Sequence, residues 1–73
     1  MRVIDGHITI LEEERFRLLT KDGRGLLFTL AHNAGSDATQ LAHYRDARTR
    51  VQVAYEGEPD LASGVARAVS RLS

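Results

Sequence analysis

The chain predicts an all-β fold, a five-stranded small barrel with one short helix between strands 3 and 4, built as a single domain over residues 1–73. Three observations predict it. Apolar and polar residues alternate in several short stretches, the period of half-buried strands. The charged, glycine-containing centre Lys21-Asp22-Gly23 hinges two of those stretches into a hairpin. One segment without alternation, "SDATQLAHYRDA", has capping residues at its start and one apolar edge, the marks of a helix.

The first strand is "RVIDGHITIL", with Ile4, Ile8 and Ile10 on one side and Asp5, His7 and Thr9 on the other. Gly6 lies on the apolar side, where a missing side chain lets a barrel strand bend. "EEER" is a turn. "FRLLT" then groups Phe16 with Leu18 against Arg15, Arg17 and Leu19, and "RGLLFTL" groups Leu26, Phe28 and Leu30 against Gly25, Leu27 and Thr29.

Directly opposed residues of antiparallel strands share a face, so loop length tests these groupings. A two-residue loop at Asp22-Gly23 sets Leu18 against Leu27 and scrambles the faces. A three-residue loop, Lys21-Asp22-Gly23, sets Leu18 against Leu26 and Phe16 against Phe28. That loop favours a left-handed residue at its third position, where Gly23 stands. Leu18 and Leu26 are therefore expected inside, and Leu19 and Leu27 outside beside Arg17.

After Leu30 the stretch "AHNAGSD" reads as a loop. The helix follows, capped by Ser36 or Asp37, with Leu41 and Tyr44 along its apolar edge. "TRVQVAYEG" is the fourth strand, Val51, Val53 and Tyr55 opposing Arg50, Gln52 and Ala54. "EGEPD" is a turn that holds Pro59. "SGVARAVSRL" suits strand or helix by composition, and its β-branched valines favour a strand.

Three meandering strands, a helix and two more strands give the order of an OB-fold, in which the helix plugs one end of the barrel. An SH3-like barrel shares the meander; the helix favours the first. "GHITI", "RFRLLTKDGR", "VQV" and "PDLASGVAR" resemble the family of the smallest bacterial translation initiation factor, a single OB domain. That resemblance implies a small cytoplasmic barrel that binds RNA in the ribosomal decoding site. The family's loop and helix are rich in basic residues, whereas "AHNAGSDATQLAHYRDA" is nearly neutral. "GHITI" and "DGRGLLF" are also similar to cold-shock proteins, which stack bases on aromatic side chains of strands 2 and 3. Carried over, that motif falls on Phe16, Leu18 and Phe28, which the register turns inward.

Size and charge bound the function. At 73 residues, burial and conformational entropy nearly cancel, so few core positions can be spared. The chain has no cysteine, which excludes disulfides and thiolate metal sites. No long apolar run or signal-peptide pattern is present, so a soluble cytoplasmic protein is expected. Ten basic and ten acidic residues give zero formal charge, unlike most dedicated nucleic-acid binders. The spacings of His7, His32 and His43 match no metal-ligand pattern, "DGRG" lacks the ending of a phosphate-binding loop, and no serine or histidine has a catalytic context. Neither an enzyme nor a cofactor is expected.

The candidate binding surface is the outer side of strands 2 and 3: Arg15, Arg17, Leu19, Leu27 and Thr29, with His7 beside them, Arg24 at the hairpin and Arg50 on strand 4. Arginines there suit phosphates of RNA or single-stranded DNA. No aromatic residue shares the surface, which removes roughly 1–3 kcal/mol of stacking per base. Glu12, Glu13 and Glu14 on one flanking loop, with Glu56, Glu58 and Asp60 on the other, repel phosphates within about 8 Å at physiological salt. A protein partner, or a weak homodimer through Leu19 and Leu27, is the alternative to a nucleic-acid-binding monomer. No membrane partner is expected.

Overall fold

The computed structural model describes residues 1–61 and 64–72. Ala62 and Ser63, which belong to the "DLASG" of the family resemblance and in part to the fifth segment, lie outside the described residues, as does Ser73. The elements run β1 (Arg2–Glu12), β2 (Arg15–Thr20), β3 (Gly25–Leu30), α1 (Ala38–Asp46), β4 (Arg50–Glu56) and β5 (Val65–Arg71). The strands close in the order β1-β2-β3-β5-β4, with β4 returning to β1. β5 thus inserts between β3 and β4 instead of extending the meander, the order of an OB-fold-like barrel.

The β2–β3 hairpin has the three-residue loop. Gly23 adopts φ 88°, and its N–H donates to the Thr20 carbonyl at 3.0 Å. Phe16 faces Phe28 and Leu18 faces Leu26, with Arg17 opposite Leu27 on the outside. Phe16 and Leu18 are fully buried and Phe28 is 1% exposed. The ring centroids of Phe16 and Phe28 are 5.6 Å apart, and Tyr55 of β4 adds a third ring 5.1 Å from Phe28. Val51, Val53, Leu30, Ala66, Val69 and Ile8 complete the inner layer. Gly6 sits beneath β2, where an added Cβ would collide with the Leu19 carbonyl oxygen and stand 2.9 Å from Leu18 Cγ.

Two bulges change which side chains face inward. Ile8 pairs with Leu18, but the next partners are Ile10 and Arg17, so Thr9 is the extra residue. Beyond it the alternation reverses. Ile10, expected inside with Ile4 and Ile8, instead points outward and is 48% exposed; Leu11 takes the inner place opposite Phe16. On β5 the extra residue is Arg67, between the pairs Tyr55–Ala66 and Ala54–Ala68. Ala66 and Val69 therefore both point inward although three residues apart, and Val65 does not join Val69.

α1 starts at Asp37, whose carboxylate accepts from the Gln40 N–H at 2.9 Å. Ser36 is not the cap; its hydroxyl donates to the Val69 carbonyl at 3.1 Å and ties the loop to β5. Leu41 enters the core, and Tyr44 packs partly buried against it. Closure between β3 and β5 is short, with only Thr29–Val65 and Leu30–Ala66 in parallel register. Beside it, Asp60 acts as a clamp: its carboxylate accepts from the Leu27 N–H at 2.7 Å, and its own N–H donates to the Leu27 carbonyl at 2.8 Å.

The bulge makes Ile10 and Leu18 unequal. In urea unfolding, Leu18→Ala is expected to lose about 2–5 kcal/mol, as a large-to-small change in a packed core. Ile10→Ala is expected to lose no more than about 0.5 kcal/mol, as an outward-facing position. Equal losses would place Ile10 in the core.

Candidate functional site

The outer surface of the meander is laid out by the ladder itself. Across β1, β2 and β3 the facing rows are Glu12, Arg15 and Thr29; then Ile10, Arg17 and Leu27; then His7, Leu19 and Gly25. Arg15, Arg17, Ile10, Glu12 and Leu27 line an open groove of about 260 Å³, with Phe16 also in its lining. The stem of Arg17 lies across Gly25: a Cβ there would come within 3.2 Å of Arg17 Cδ. Glycine lets the long side chain lie flat on β3. Leu27 is half-buried and Leu19 is 43% exposed.

The expected site residues divide between places. Arg15, Arg17 and Leu27 share the groove; Thr29 is next to it, half-buried, with its N–H donating to the Gly64 carbonyl at 3.0 Å. Arg24 and Arg50 do not join them. They line a separate depression with Asp5, Asp22 and Lys21 near the hairpin and β4. Arg24 Nε donates to Asp22 at 2.9 Å, and Arg50 stands 3.7 Å from Asp5, so each faces a carboxylate. Leu19 lies between the two regions. It lines another groove, of about 390 Å³, with His7, Thr9, Arg45 and Arg48. The sequence reading missed Arg45, Arg48 and Ile10 as surface groups. Only the adjacent pair Ile10-Leu11 was a visible signal that the strand changes phase.

The rim is less hostile to anions than six carboxylates imply. Glu58 pairs with Arg2 at 3.3 Å and Glu56 with Arg67 at 3.2 Å. Asp60 is spent on the Leu27 backbone, and Glu14 lies 3.7 Å from His32. Arg2 also lies over the Tyr55 ring, 5.8 Å from its centroid, and its pKa is raised chiefly by the hydrogen bond to Glu58. By contrast, Arg15, Arg17, Lys21 and Arg48 have no carboxylate within 4.0 Å among the described residues. All these pairs are exposed, so they tune local potential and add little to stability.

Phe16, Phe28 and Tyr55 are core residues, and no phenylalanine or tyrosine stacks on the outer face of β2 and β3. Among the described residues no cluster of three histidine or acidic side chains could hold a metal ion, and no helix is long and apolar enough to cross a membrane. No protein-family model matches the chain, and neither a curated protein nor a solved structure shows significant similarity to it.

The hairpin beside Arg24 has its own acid response. The Thr20 hydroxyl donates to Asp22 and is the main cause holding that carboxyl below its ordinary pKa; desolvation opposes it, and Arg24 assists. The folded state thus binds this proton less tightly than the unfolded chain. Its stabilisation is complete above the unfolded value of about 3.9 and is lost as pH falls through the lower folded value. In an NMR acid titration, the Gly23 and Arg24 amides are expected to move with a midpoint below that of a free aspartate. Asp22→Asn should abolish the movement.

Proposed function

We propose that the protein is a non-enzymatic binding module that holds single-stranded nucleic acid, RNA foremost, by its phosphates on the outer side of β2 and β3. One observation carries this reading: Arg15 and Arg17 project beside each other without carboxylate partners among the described residues, while of the rim carboxylates Glu56 and Glu58 are paired with arginines and Asp60 is bonded to the Leu27 backbone. Guanidinium groups bind phosphate through two parallel N–H bonds, and two such groups on adjacent outer positions of a strand match successive phosphates of a flexible strand. Barrels of this strand order commonly offer the same side to oligonucleotides. The sequence likeness to the initiation-factor family favours RNA as the polymer.

Glu12 shares the groove, and the main platform lacks stacking rings. Binding therefore rests on a few ionic contacts and is weak and salt-sensitive. Fluorescence anisotropy with a uridine oligomer of about twelve nucleotides is expected to show affinity falling with salt, with a slope of about −0.7 per phosphate contacted. Arg15→Gln with Arg17→Gln is expected to flatten that slope by about 1.4. A double variant that binds like the parent, with the same slope, would overturn the reading.

The outward turn of Ile10 favours a second reading, a protein partner. Ile10, Leu27 and the stem of Arg17 form a small apolar patch edged by charge, the composition of a protein interface. Sedimentation separates a self-association from the first reading: a dimer dissociated by Ile10→Asp supports the second, and a monomer at all concentrations removes the homodimer.

A further inference from the structure

The groove between β1, β2 and the end of α1 lies outside the arginine platform, yet it shares a strand with it. It is lined by His7, Ile8, Thr9, Leu19, Arg45 and Arg48, and its volume of about 390 Å³ lies in the range of ligand clefts, about 300–1,000 Å³. We infer that this groove is a nucleobase pocket, in which one base of a bound single strand rests on Leu19 between the His7 imidazole and the Arg48 guanidinium. The inference rests on the phosphate-binding reading above and adds what that surface lacks, a place for a base.

Three features point there. First, imidazole rings and guanidinium planes are both groups on which unpaired bases stack. His7 is exposed, stands directly across from Leu19, and is the one ring on the outer rows of the meander. Second, Arg48 holds an unusual backbone. α1 ends with Thr49 N–H donating to the Tyr44 carbonyl at 2.9 Å and Arg48 N–H to the Arg45 carbonyl at 3.2 Å, the paired bonds of a Schellman ending. Its left-handed position normally takes glycine; here Arg48 occupies it at φ 53°. An L-residue pays for that conformation in backbone strain. The negative end of the helix dipole favours the guanidinium without requiring it at the left-handed position itself, since a cation in the last turn such as Arg45 serves the dipole as well. The conformation brings Arg48 to the wall of the groove without a carboxylate partner among the described residues; Arg45 beside it is paired with Asp46 at 3.0 Å.

Third, the groove continues the platform. Leu19 and Arg17 are successive outward residues of β2, a rise of about 7 Å. The bulged Thr9, in the lining of this groove, donates from its hydroxyl to the Arg17 carbonyl at 3.4 Å and so ties it to the platform strand. A strand whose phosphates lie on Arg15 and Arg17 therefore reaches Leu19 with its next unit. The negative end of the helix dipole opposes a phosphate at this corner and is no obstacle to a neutral base.

The test compares a uridine oligomer with a base-free deoxyribose-phosphate oligomer of equal length, by anisotropy. Arg48→Gly removes the side chain and relieves the left-handed strain, so its thermal unfolding midpoint is expected to be unchanged or raised. His7→Ala removes the ring, and His7→Phe retains one. For Arg48→Gly and His7→Ala, affinity for the uridine oligomer is expected to fall about tenfold, the scale of one lost stack, beyond any change for the base-free oligomer; His7→Phe is expected to bind uridine like the parent. If both variants bind uridine like the parent while Arg15→Gln with Arg17→Gln does not, the base pocket is overturned and the phosphate platform stands. If both oligomers weaken equally, the corner is an ionic site and the pocket is again overturned. If the parent binds neither oligomer, both readings fall and a protein partner remains.

Discussion

The pairing of Phe16 with Phe28 and of Leu18 with Leu26 depends on one extra residue in a turn. Gly23 supplies it by adopting a backbone that most residues resist, and the hydroxyl of Thr20 fastens the turn from within by accepting from the Arg24 N–H at 3.1 Å. Because side chains alternate every residue, a shorter loop would carry one strand's apolar set to the wrong face. The rings packed behind this hairpin, tilted against one another, and the arginines in front of it are two results of the same register. A small chain with few core positions has no reserve to absorb a slip there.

Bulges account for much of the remaining character of the surface. A barrel must coil tightly, and an extra residue increases local twist while reversing the faces beyond it. At Thr9 this places Ile10 among charged side chains and leaves Leu11 to fill the interior. At Arg67 it lets Ala66 lie against Tyr55 while Val69 meets Val53. The outer surface is thus more apolar, and the arginine set more divided, than a regular ladder would produce.

What was readable in the amino-acid order follows from how local each cause is. The hairpin register and the inward sides of β2 and β4 depend on neighbours in sequence and were legible; the helix cap was narrowed to Ser36 or Asp37, and only the tie of Ser36 to Val69 decides between them. The strand character of "SGVARAVSRL" was legible from Val65 and Val69 even though their faces were not. Ile10 escaped because an alternating pattern gives no sign of where a bulge interrupts it, apart from the doublet with Leu11. The division of Arg24 and Arg50 from Arg15 and Arg17 arises from ion pairs with Asp22 and Asp5 and from barrel curvature, which no spacing rule encodes. Arg48 was invisible for a similar reason, since its place is set by the helix ending and by the packing of α1 on β1.

The closing seam has a consequence for how this barrel comes apart. β4 shares six residue pairs with β1 and six with β5, whereas β3 and β5 share two. Cooperative opening starts where the fewest bonds must break. The two bonds of Asp60 to the Leu27 backbone, one from its carboxylate and one from its N–H, stand at that zipper's free end, so the connection from β4 to β5 works as a latch as well as a link. Lengthening it would loosen the cylinder from the side next to Leu27, and the arginine face would lose its rigid backing before the phenylalanine pair came apart.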